Sequence, residues 1–156
     1  MKPAQGFTLI ELLMTLALLA LFATLALPLA ELAVKRSQEA ELRSALRQIR
    51  NGLDAYKQAA DDGRVESSPG DSGYPKNLRQ LVDGVRDRKS VTGVPINFLR
   101  RIPRDPFANP KLRPEDTWGL RSYTSAYDKP RPGVDVYDVY SQSKESGING
   151  IPYRQW

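Results

Sequence analysis

Apolar residues run almost without interruption from Phe7 to Ala30, and beyond that point they thin to every third or fourth position. From Leu12 to Ala30 there is no charge at all, and at the helical rise those positions span roughly 29 Å, close to the thickness of a bilayer's hydrocarbon core. The first pattern predicts a membrane-spanning helix. The second places Leu42, Ala45, Leu46, Ile49, Leu53 and Tyr56 on one stripe, so the same helix is expected to continue as an amphipathic segment to about Ala60, packed on a domain. Pro28 removes a backbone donor and clashes with the turn before it, which predicts a bend or local unwinding at residues 24–28.

Asp61–Ser72 (DDGRVESSPGDS) has turn composition and ends the long helix. Tyr74-Pro75 followed by Leu78, Leu81, Val82 and Val85 has the spacing of a short second helix, closed by Gly84 and the basic residues Arg86–Lys89. After Val91 the chain changes character. Val91, Val94, Ile96 and Phe98 are β-formers broken by Gly93 and Pro95, and IPRDPF at Ile102–Phe107 is bracketed by prolines and cannot be helical. Trp118–Tyr123 and Val134–Ser141 (VDVYDVYS) read as strands. The expected fold class is α+β: a long N-terminal helix, membrane-spanning in its first half and amphipathic in its second, with a small antiparallel sheet laid over the Leu42–Tyr56 stripe.

The chain has 156 residues, no cysteine and no histidine. After a membrane segment there is room for one small domain. No disulfide can staple it, and the commonest general base and zinc ligand are missing. Asp105 lies between prolines and is expected to cap a turn. Asp135 and Asp138 are three apart, on opposite faces of an extended strand. No nucleophile, base and oxyanion set converges, so catalysis is disfavoured. The formal charge is +5, but Lys35, Arg36, Glu39, Glu41, Arg43, Arg47 and Arg50 mix both signs and read as a solvated helix face, which disfavours nucleic acid. Arg100, Arg101 and Arg104 read as a solvated rim.

Glu11 does not belong in an ordinary anchor. An ionised carboxylate at that depth costs several kcal/mol unless it is partnered, and intramembrane acids are by default functional. Cleavage between Gly6 and Phe7 would create a partner, because it frees an α-amino group whose ordinary pKa near 8 keeps it largely protonated at neutral pH. One subunit's Glu11 would then neutralise the next subunit's new N-terminus. The apolar run is too long for a Sec-type signal peptide and lacks a small-x-small cleavage site directly after it.

The residues GFTLIELL from Gly6 to Leu13, with Pro28 further along, closely resemble the class III signal of type IV pilins and of the pseudopilins of type II secretion. That resemblance implies that a prepilin peptidase cuts after Gly6, that Phe7 is N-methylated, and that Glu11 sets the register between subunits of a helical filament. Residues 1–6 would be the leader, 7–34 the membrane-spanning and filament-core helix, and 35–156 a periplasmic pilin-like domain. The basic residues Lys35 and Arg36 after the span would by the charge rule alone favour the opposite orientation to this one; the resemblance places the chain in the inner membrane as a single pass. Tyr74-Pro75, IPRDPF, VYDVYS at Val136–Ser141 and the terminal Trp156 are similar to the major pseudopilin, and no cysteine pair closes the C-terminal region as in many type IV pilins.

The implied function is a structural subunit of a type II secretion pseudopilus. Its implied partners are other pseudopilins, the prepilin peptidase, an inner-membrane assembly platform with its ATPase, and membrane lipid before assembly. The alternative is a type IV pilus major or minor pilin that binds a surface, DNA or a substrate. In the resembling family an acid-rich loop that binds calcium follows the last strand. Here the corresponding donors are Ser141, Ser143, Glu145 and Asn149, with a single formal negative charge, a poor set for a hard cation. A loop held without a cofactor, by Asn149-Gly150 turn chemistry and burial of Trp156, is the expected arrangement.

Overall fold

The computed structural model describes residues 6–156, apart from the side chains of Leu25 and Leu27. The leader residues Met1–Gln5 lie outside the described residues. The chain divides after Ser37 into two compact units. Helix α1, Leu9–Asp61, supplies the described helix of the first and the backbone element of the second.

In the second unit the periodicity is realised as expected. Leu42, Ala45, Leu46, Ile49, Leu53 and Tyr56 are all buried, and Ala59, Val65, Leu78, Leu81, Trp118, Val136, Val139 and Tyr153 complete the core. Fully burying one aliphatic side chain contributes roughly 1.5–3 kcal/mol, so this stripe stabilises the domain substantially. The helix ends where the turn composition says it should. Gly63 has φ +69°, its N–H bonds to Ala60 O at 2.9 Å, and the Arg64 N–H reaches Ala59 O at 2.9 Å. That pair of bonds is a Schellman cap, whose left-handed residue favours glycine.

The second helix is shorter than its spacing predicts. Helix α2 covers only Gln80–Asp83: it closes as expected where Gly84 turns the backbone to φ +82°, ψ 159°, but residues 76–79 form bends and turns in place of its first turn. Val85 leaves the helix and opens strand β1, Val85–Arg86, which pairs antiparallel with β2, Pro95–Ile96. Strand β3, Trp118–Arg121, pairs antiparallel with β4, Asp138–Ser141, in the register Trp118↔Ser141 to Arg121↔Asp138. The sheet is thus two separate two-stranded ribbons among the described residues. Gly119 faces Tyr140 across β3 and β4, and any β-carbon there would strike the tyrosine ring.

The strand expected from Val134 begins only at Asp138. Val134 is exposed, and the Val136 N–H bonds to Pro75 O at 2.8 Å instead of joining a ladder. Asp135 therefore does not share a strand with Asp138. It is buried, and it accepts the Ser122 hydroxyl at 2.6 Å and the Tyr123 N–H at 2.9 Å. Asp138 instead pairs with Arg50 at 2.8 Å and Arg121 at 3.2 Å. Asp105 does cap a turn: it is buried and accepts the Phe107 N–H at 2.8 Å. Arg104 is more than a rim residue, since it donates to Leu112 O at 2.6 Å and Asn109 O at 3.1 Å.

Candidate functional site

The chemistry of the N-terminal segment begins with how its helix starts. Thr8 and Glu11 have capping-box spacing, and the Thr8 hydroxyl oxygen accepts the Glu11 N–H at 3.3 Å. The Thr8 carbonyl takes the Leu12 N–H at 3.1 Å. Thr8 therefore fixes Leu9 as the first helical residue, leaving Gly6, Phe7 and Thr8 outside the helix. All three are exposed, and a β-carbon added at Gly6 would meet nothing within 4 Å. Packing inside the chain does not demand glycine at position 6. A non-helical, exposed peptide bond is what a peptidase needs.

Glu11 sits in the first turn of α1, where the helix dipole favours an acid. It is exposed and makes no ion pair among the described residues. Around and beyond it the helix surface is apolar. Phe7, Leu9, Ile10, Leu12, Leu13, Met14, Leu16, Leu18, Leu19, Leu21, Phe22 and Leu29 are each at least 53 % exposed. Thr15 and Thr24 turn their hydroxyls back to Leu12 O at 2.9 Å and Leu21 O at 2.7 Å, so neither leaves an unpaired donor on that surface. Moving these large side chains from water to an apolar environment is worth on the order of 20–35 kcal/mol. That exceeds the whole stability of an ordinary domain. The segment is long and apolar enough to cross a membrane.

Pro28 lies inside α1, and the helix passes through it. The helix is continuous through residues 24–28, and the proline's missing N–H removes the usual donor to the Thr24 carbonyl.

Residues 1–27 match the family model described as the prokaryotic N-terminal methylation motif. No curated protein and no solved structure compared with the chain gives a significant match. The motif is a type IV prepilin-like signal, and it marks the chain as a pilin-like substrate of a prepilin peptidase. The long helix with its small antiparallel strands is consistent with a pilin-like layout, and the apolar segment fits membrane anchoring.

The four candidate calcium donors run from Ser141, the last residue of β4, into the strap after it, and the Ser141, Ser143 and Asn149 side-chain oxygens are already engaged. The Ser141 hydroxyl donates to Asp105 at 2.5 Å and accepts the Ser143 N–H at 3.1 Å. Ser143 Oγ takes the Glu145 N–H at 3.2 Å, and Asn149 Oδ1 takes the Ile151 N–H at 3.0 Å. Glu145 is left as the one carboxylate of the set. Calcium takes six to eight oxygens and depends on ligand charge, so these donors do not fit it.

Sequence reasoning missed the residues that do hold the strap. By sequence Glu39 and Arg50 read as part of a solvated helix face, yet Glu39 is only 4 % exposed and Arg50 donates to the Trp156 main-chain oxygen. The signal was present: Glu39 stands three residues before Leu42 and seven before Leu46, on the core stripe itself.

Proposed function

We propose that this chain is a structural subunit of a type II secretion pseudopilus. Prepilin peptidase removes residues 1–6 and methylates Phe7. Residues 7–34 then anchor the subunit in the inner membrane and later form the filament core, while residues 35–156 lie in the periplasm. Assembly with other pseudopilins is driven by a platform and its ATPase. Extraction from lipid exchanges one apolar surrounding for another, so the free energy of desolvating the helix is kept, and polar pairing is left to set register. The reading is supported above all by the exposed Gly6-Phe7 peptide placed just before a helical segment whose described large side chains, Leu9 to Leu29, are exposed.

Glu11 is the register element. It is exposed, without an ion pair among the described residues, and four residues beyond the amino group that cleavage creates. In cells that make the filament, Glu11→Ala is expected to leave cleavage and methylation intact and to abolish or sharply reduce recovery of sheared filaments. Wild-type yields of filaments from that variant would contradict the pairing. A second reading, a type IV pilus subunit with a binding tip, draws on one observation: the strap lacks the donor set of the calcium loop found in the major pseudopilin pattern.

A further inference from the structure

We infer that the strap Ser141–Trp156 is fastened to helix α1 by the Glu39 carboxylate and that the domain folds without calcium. The arrangement is the inverse of a cation site. A cation gathers oxygen atoms around itself, whereas here a buried anion gathers donors. Glu39 Oε1 accepts the Ile148 N–H at 2.7 Å and the Tyr153 hydroxyl at 3.1 Å. Its second oxygen faces Arg43 at 3.5 Å, and the Arg43 guanidinium lies 4.3 Å over the Trp156 ring. The strap therefore points a backbone N–H and a hydroxyl hydrogen at the centre of its own attachment, and a positive ion there would be repelled.

Two further contacts close the strap. Arg50 donates to the Trp156 main-chain oxygen at 2.8 Å while its Nε holds Asp138 of β4 at 2.8 Å, so one guanidinium ties helix, strand and strap together. At Gly147 an added β-carbon would collide with the Trp156 ring and the Asn149 carboxamide and crowd Glu39 Oε1. The strap approaches the carboxylate as closely as a backbone without a side chain allows. No buried side-chain polar atom among the described residues is left without a partner, so the carboxylate's burial is fully compensated. This inference stands apart from the filament reading, because it concerns only how the domain is held together.

The test is thermal unfolding of the full chain in detergent micelles, followed by tryptophan fluorescence, with either millimolar calcium or a chelator present. The wild-type midpoint is expected to be the same in both, whereas a bound calcium would raise it by several degrees. Glu39→Ala strands two donors and is expected to lower the midpoint by roughly 5–15 °C. Glu39→Gln keeps an acceptor oxygen and should lose less. Should the alanine variant fail to fold, the glutamine variant and the calcium comparison decide the matter. A calcium-dependent rise in the wild type, or Gln and Ala variants that both melt like the wild type, would overturn the inference.

Discussion

The two parts of this chain solve the hydrophobic problem in opposite ways. From Gln38 onward, the apolar residues of the helical stripe are buried in a core, and even the charged Glu39 and Asp105 are buried with partners. From Phe7 to Leu29 the described large side chains are exposed, and the one acid, Glu11, has no ion-pair partner among the described residues. A single sequence thus encodes a domain that buries its own helical stripe and a segment whose described large side chains stay exposed.

Matched substitutions break or sharpen this contrast. The largest expected effect comes from truncating leucines. Leu53 is fully buried, so Leu53→Ala should cost the domain about 2–5 kcal/mol; Leu18, 53 % exposed, should leave the unfolding curve unchanged when truncated the same way. Denaturant titration of the detergent-solubilised full chain checks both. If Leu18→Ala destabilised the domain equally, the contrast would collapse. Glycines give the next pair. Gly119→Val drives a side chain into the Tyr140 ring and should cost roughly 1–3 kcal/mol, while Gly6→Val, in open space, should leave stability alone and impair only processing by the peptidase.

The smallest effect is on the pH dependence of stability. Burial, then the Glu39 hydrogen bond and charge, pushes the Tyr153 hydroxyl up to about 12 from an ordinary 10.0. The folded state therefore keeps a proton that the unfolded state releases first. Its contribution is fully present below pH 10 and is lost as pH rises towards about 12. Tyr153→Phe should flatten the alkaline limb of a stability profile, though not abolish it, since burial also raises Tyr56 and Tyr74.

Helix α1 was legible because both of its patterns are local and long: an unbroken apolar run, then a three-and-four stripe. Its C-terminal end was legible too, in the turn composition that opens at Asp61. The strands were less so. Four-residue strands draw their stability from pairing with distant residues, and Val134, β-branched and apolar, stays exposed because its neighbour Val136 bonds to Pro75 instead. The close of helix α2 at Gly84 was legible, but its start was not: residues 76–79 form bends and turns, and the helix begins only at Gln80. Glu39 was misjudged by charge alone, although its place on the core stripe gave its burial away.

The most direct test of the central claim is the intact mass and N-terminal sequence of the protein purified from its own membranes. A chain beginning at an N-methylated Phe7 is the expected result, with the apolar helix freed of its leader for assembly. A chain that still begins at Met1 in cells with an active prepilin peptidase would contradict it, and would leave a simple membrane-anchored domain.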